Sequence, residues 1–354
     1  MKSRCAILAV VLCFVLLPAS LLAKDKVYHL SFATFWPSTD FQVQEGHMKW
    51  IEEVEERTDG RIKVNMHAGE ALLGAREIYQ GVTDGVADIG STCPAYTPGM
   101  FPLSEAFELP GYQNISALAA SMTFHEGYKE IKEQLGIDMF EDVKVLTLWA
   151  TGPGYLMTNS PVRNLDDLQG MEIRAVGGTV PPLEELGAVT HAMPMSESYL
   201  ALDQGIVQGI LAPTDVLKGF KLAEVVDYAT NTPFLYNVVF MQVMNKDKWN
   251  SLPKDLQKIV QEVSDEFAKK YGELRTAYTQ QGLEYGINEH GLKAIELSAK
   301  EEQKWLDRIQ PVVTNWVQEK SQKGLPAQET VDIVQELDAK YSEKYADYEC
   351  EIPE

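Results

Sequence analysis

Two periods of apolar residues alternate along most of this 354-residue chain. "VYHLSFATFW" (27–36) alternates like a strand, whereas "FQVQEGHMKWIEEVEERTDG" (41–60) carries apolar residues at helical spacing and stops at Gly60. The exchange continues through a strand in "RIKVNMHAG", a helix in "AREIYQGVTDG", a strand in "VADIGSTC" and an amphipathic helix over 115–136. Strands that alternate with helices of this kind imply βαβ units and a largely parallel sheet.

From Lys144 the pattern restarts. "VKVLTLWAT" and "GYLMTN" read as strands joined by Gly152, Pro153 and Gly154, a natural crossover or hinge. "NLDDLQG" follows as a short helix, "GMEIRAV" as a strand, and "PPLEELG" as a helix whose leading prolines sit where a missing N–H does no harm. "TDGVADIG" (83–90) and "DQGIVQGI" (203–210) both close a helix at Gly and re-enter a strand at once, which fits two similar α/β lobes. After the strand "NVVFMQVMNK", helical periodicity persists for about 35 residues within 253–291, roughly 50 Å at 1.5 Å per residue. A helix longer than one lobe predicts a strut lying across both. A short strand in "LKAIELS" and two more amphipathic helices complete the chain.

Composition narrows the setting. Lys2 and Arg4 precede an apolar run that ends in a small-residue cleavage site at Ala23, so residues 1–23 are expected to be an export signal peptide. The alternative is an uncleaved anchor, for which the apolar run is long enough only if Pro18 counts inside it. The formal charge of −21 becomes more negative once Lys2 and Arg4 are removed. Such a surface repels nucleic acid and anionic lipid, and any anionic ligand must be captured by a local cation. Cys93 and Cys350 survive processing, either as two free thiols or as one bridge. Enzyme signatures are missing: His29, His47, His67, His125, His191 and His290 include no pair at helical zinc spacing, and GxSxG, GxxxxGK[ST] and GxGxxG do not occur. No enzymatic activity, cofactor or metal is therefore expected.

Arg174 is the candidate that remains. It stands near the C-terminal end of the strand in "GMEIRAV", where ligands of α/β sheets bind. Gly177 and Gly178 would allow close approach, and the helix start near Pro181 adds positive potential. A guanidinium also grips a carboxylate through two parallel bonds. The competing reading is a strand-end arginine paired with a surface carboxylate.

Taken in order, "LGAREIYQGVTDGVADIG", "FELPGY", "NLDDLQGMEIRAV", "AVTHAMPMSESYLALDQGIVQGILAP" and "MNKDKWNSLPKDLQKIV" resemble the solute-binding subunits of tripartite ATP-independent periplasmic (TRAP) transporters, the dicarboxylate-binding-protein-like group, over about residues 27–300. The resemblance implies a periplasmic α/β protein with two lobes, a long bracing helix and a helical C-terminus. Its lobes would comprise 24–151 with 239–278 and 152–238 with 279–354. It also implies a cleft closing on a small organic acid, which the loaded protein delivers to small and large membrane subunits; the sequence leaves the oligomeric state open with a monomer favoured, and a binding protein for an ATP-driven importer or a sensor is the alternative. The family's carboxylate-clamping arginine corresponds to Arg174, with Glu172 where a lysine is usual. Ala212 replaces a frequent polar Asn, and Gly154 stands where relatives of more polar acids carry a second arginine. Phe35, Trp36, Cys93, Tyr96, Val176, Thr214, Tyr236 and Asn237 are the other expected contacts. Fewer polar anchors and more rings point to a monocarboxylate with an apolar or aromatic body.

Overall fold

The computed structural model describes residues 26–113, 115–348 and 350, so the signal-peptide expectation lies outside the described residues. These residues form two sheets. The first runs in the order β2 (Ile62–His67), β1 (Tyr28–Thr34), β3 (Ile89–Thr92), β10 (Val239–Asn245) and β4 (Val143–Ala150). The second runs β11 (Lys293–Ile295), β9 (Tyr228–Asn231), β5 (Tyr155–Thr158), β8 (Gly209–Ala212), β6 (Glu172–Ala175) and β7 (Val189–Ala192).

The sheets are less parallel than the helix–strand alternation suggests. β1 is parallel to β2 and β3, and β6 to β7 and β8, but β10 is antiparallel to both its neighbours and so is β5. Connectivity supplies the reason. The chain leaves the first sheet along β4 and enters the second as β5; it leaves the second along β9 and returns as β10. Outgoing and returning passes lie side by side, so one strand of each pass opposes the local direction. Between the sheets the passes are tied together: Thr151 N–H donates to Val238 O at 2.9 Å, Val238 N–H to Thr151 Oγ1 at 2.9 Å, and Thr232 N–H to Gly154 O at 3.2 Å.

The predicted strut is the helix Lys254–His290, 37 residues long and closed by Gly291 in the left-handed region. Two glycines seat it. A Cβ on Gly272 would lie 2.8 Å from Leu118 Cα in the first lobe, and one on Gly282 would lie 2.1 Å from Thr214 O in the second. About 15 Å of helix separates these contacts, so one stiff element touches both lobes.

The last helix departs from the expected lobe division. Val331, Val334, Leu337 and Tyr341 recur at helical spacing and are buried with Phe107 and Phe124 of the first lobe. Gln113 N–H also donates to Asp338 Oδ2 at 2.8 Å. Residues 327–344 thus pack on the first lobe, not with the second as the 279–354 boundary expected; the first-lobe helix Ala117–Leu135 offers the apolar face that this stripe covers.

Candidate functional site

Arg174 lies on β6 between β7 and β8, opposite His191 and Ile210, and is 1% exposed. Its Nε donates to Met193 O at 3.0 Å, and its charge acts on the nearby Tyr96 hydroxyl, which accepts Met195 N–H at 3.1 Å. Tyr96 belongs to the first lobe, so the cation reaches across the lobe junction. Glu172, two residues away on the same strand, pairs with His191, and Arg174 has no salt bridge among the described residues. Arg174 Nη2 is buried without a hydrogen-bond partner. A permanent cation with an unmatched donor in apolar surroundings is costly, so the arrangement favours an acceptor entering beside it.

Arg174 lines a small cavity of about 20 Å³ between the lobes. Of the expected residues, Phe35, Trp36, Tyr96, Arg174, Val176 and Tyr236 line it. The rings form a continuous wall: Phe35 and Trp36 stack at 4.0 Å, Phe35 meets Tyr96 edge-on at 5.2 Å, and Trp36 meets Phe240 at 5.0 Å. Thr151 and Val238, the residues that tie the two crossing passes, also line it, so the hinge and the cavity share atoms.

The remaining expected residues stand behind this wall. Cys93 is buried next to Tyr96; it and Cys350 are free, and burial pushes the Cys93 thiol well up, so it stays un-ionised. Ala212 is fully buried opposite Tyr155 in β8. The Thr214 hydroxyl turns to Thr279 O on the long helix, and Asn237 Nδ2 donates to Phe107 O at 2.9 Å. Their neighbours Pro213, Val216, Tyr236 and Val238 face the cavity in their place. Gly154 is explained by packing: a Cβ there would lie 2.4 Å from Tyr236 Cβ, so Tyr236 fills the space that a side chain at 154 would need.

Gly177 and Gly178 also serve something other than the direct ligand approach expected of them. Glu108 comes close to both, and its Oε2 accepts Gly178 N–H at 2.8 Å while Oε1 accepts Val239 N–H at 3.1 Å. The amide at the start of the 177–185 helical segment is thus taken by an internal carboxyl. Beyond it a larger groove of about 360 Å³ opens, and three of its four carboxyls are engaged, Glu108 with those amides, Glu105 with Lys320 at 2.6 Å and Glu319 with Lys323 at 2.6 Å. The small cavity, with its unmatched cation, is the better candidate site.

Residue-by-residue reading missed Arg275. It projects from the long helix, is 3% exposed and lines the same cavity. Its Nη1 donates to Gln42 Oε1 at 3.1 Å and its Nη2 lies 3.0 Å from Asp215 Oδ2. A signal did exist: Arg275 continues the buried stripe of Ser264, Ala268 and Tyr271, where a charge has no solvated face to occupy.

Two α/β lobes joined by crossing strands, braced by one helix and enclosing a buried cation among rings, define a solute-binding receptor of the two-lobed kind. Residues 32–320 match the family model of the bacterial extracellular solute-binding proteins, family 7, and the chain belongs to that family. It is a TRAP periplasmic solute-binding protein, a receptor and not an enzyme, and among the described residues no helix is long and apolar enough to cross a membrane. A TRAP solute-binding protein from Desulfovibrio salexigens, in an open form with the C-terminus of a symmetry mate in its ligand-binding site, is 36% identical. The match covers 90% of this chain and 98% of that one with a TM-score of 0.76. One from Rhodoferax ferrireducens, in complex with copurified benzoate, is 28% identical over 90% of this chain and 99% of that one, with a TM-score of 0.84. The C4-dicarboxylate-binding periplasmic protein DctP of Rhodobacter capsulatus is 26% identical over 75% of this chain and 80% of its own length.

Proposed function

We propose that this receptor captures a monocarboxylate with an apolar or aromatic body in the interlobe cavity, holds the carboxylate on Arg174 and delivers it to the small and large TRAP membrane subunits. The unpartnered Nη2 of Arg174, buried in a wall of rings, is the observation that carries the reading. One charge-assisted pair would fix orientation, while each buried ring-sized group would contribute roughly 1.5 to 3 kcal/mol. Tyr236 in the space beside Gly154, and Ala212 withdrawn into β8, leave no second polar anchor at those two positions. The similar protein that carries benzoate, and a marine metagenome relative described as specific for aromatic acid ligands at 28% identity, support the same class.

The cavity of about 20 Å³ holds roughly one water, so entry of a ring acid requires the lobes to part. We assign the bending to 151–154, to 232–238 and to the turns of the long helix between its seats at Gly272 and Gly282, with residues 26–150 and the first-lobe part of that helix moving against 155–231 and the 291–326 segment. Thermal-shift screening against organic acids tests the reading: aromatic and branched monocarboxylates should raise the melting temperature more than succinate, malate or a sugar acid. Arg174→Ala should weaken the best acid by at least about a hundredfold, the scale of a lost charge-assisted bidentate pair. Equal affinity in the variant would remove Arg174 from the role. Delivery is tested by uptake of that acid in cells expressing the two membrane subunits with and without this receptor.

A further inference from the structure

The cavity has a second end. Arg174 and Tyr96 line the cavity together and interact electrostatically, Tyr96 meets Phe35 at 5.2 Å, Phe35 meets Phe240 at 6.4 Å, and Arg275 Cζ stands 5.4 Å over the Phe240 ring. A row of three rings therefore separates the two guanidinium groups. We propose that Arg275, which lines the cavity, and its ion-pair partner Asp215, which stands behind the lining, form a distal polar subsite that selects acids bearing a hydroxyl remote from the carboxylate. The inference rests on the reading that Arg174 takes the carboxylate, and it adds a determinant within that ligand class.

The bonding of the pair supports it. Arg275 and Asp215 are each 3% exposed. Nη2 and Oδ2 are 3.0 Å apart but not aligned as a hydrogen bond, so Oδ2 has no hydrogen-bond partner, and Arg275 Nε has none either. A buried donor and a buried acceptor thus stand unmatched on one ion pair, where each unmade bond is costly. A hydroxyl satisfies both at once: its oxygen accepts from Arg275, and its proton goes to Asp215. A ketone satisfies only the donor. A second carboxylate also satisfies only the donor and, when Asp215 is ionised, meets its negative field; burial raises the Asp215 pKa and Arg275 opposes that rise. Asp40 adds to that field when ionised; its Oδ2 lies where a Cβ on Gly219 would fall, and it interacts with both Arg275 and Asp215. The subsite therefore discriminates against diacids.

Calorimetric titration with benzoate, 3-hydroxybenzoate, 4-hydroxybenzoate and terephthalate provides the test. The better hydroxybenzoate should bind at least about tenfold tighter than benzoate, and terephthalate no tighter than benzoate. In Arg275→Met the hydroxyl preference should fall below about threefold; Asp215→Asn, which preserves shape, gives the same reading should Arg275→Met fail to fold. Arg174→Ala should weaken all the monoacids together. Equal binding of benzoate and both hydroxybenzoates to the unaltered protein, or a preference that persists in both subsite variants, overturns the distal subsite while leaving the carboxylate clamp standing. Failure of every monoacid to bind overturns the clamp and the subsite together.

Discussion

Glu108 shows how one carboxyl can be committed to the lobe junction. Burial drives its pKa up to about 8 even though Gly178 and Val239 N–H groups favour the charged form, and Glu105 nearby adds to the rise. The folded protein therefore keeps a proton that the unfolded chain, with an ordinary value of 4.5, releases earlier. This contribution to stability is complete below about pH 4.5 and is lost as pH rises through about 8, at up to about 1.4 kcal/mol per unit between. In Glu108→Gln one amide loses its acceptor, which costs about 1 to 3 kcal/mol, but the titration disappears. Urea unfolding of both proteins should show the stability advantage of the unaltered protein largest near pH 5 and shrinking toward pH 8.5; a constant difference would mean the carboxyl is ionised throughout. Side chains of this type separate what was legible from what was not. Arg174 stood out because a strand end and two glycines framed it. Glu108 lies in an apolar, loop-like stretch and Arg275 in a helix segment with Lys269, Lys270 and Glu273, and only the meeting of two lobes and a helix buries them. Thr214 and Asn237 were close in sequence to the cavity, but chain alternation turned them away and their neighbours toward it.

Periodicity located the strands and the long helix because burial on one face imposes it. It was silent on strand direction, which the crossings set, and on which lobe the last helix would cover, since an apolar stripe does not name its partner. Along the long helix, the close seats at Gly272 and Gly282 invert an ordinary expectation. Gly→Ala inside a helix usually stabilises by up to about 1 kcal/mol. At Gly282 the new methyl would stand 2.1 Å from the carbonyl oxygen of Thr214, a backbone atom that cannot step aside alone. Overpacking of this kind costs about 1 to 3 kcal/mol, so Gly282→Ala should lower the melting temperature by a few degrees. It should also weaken ligand binding, because the displaced loop carries the cavity residues Pro213 and Val216. Gly286→Ala supplies the contrast, since its methyl would meet only the side-chain ends of Leu292 and Leu217 at 2.9 and 3.0 Å, and it should be the milder change by both measurements.

For the whole molecule, charge and closure act on different rates. Contacts at the cleft mouth are exposed and weak: Arg76 pairs with Glu197 at 2.7 Å with both side chains about half exposed, and Ser196 Oγ donates to Glu70 at 2.8 Å. Pairs of this kind contribute about 0 to 1 kcal/mol, so opening is not held back there. An incoming carboxylate instead meets the field of a chain with formal charge −21 before it reaches Arg174. That field extends about 30 Å at 0.01 M salt and about 8 Å at 0.15 M, whereas the buried Arg174 contact is hardly screened. Association of the acid should therefore speed up about twofold or more between 10 and 150 mM NaCl, while dissociation changes by less than about 1.5-fold. Trp36, on the cavity wall, provides the fluorescence signal for stopped-flow measurement of both rates. An association rate that falls with salt would show that Arg174 and Arg275 dominate the potential at the open mouth, reversing the sign argued from net charge.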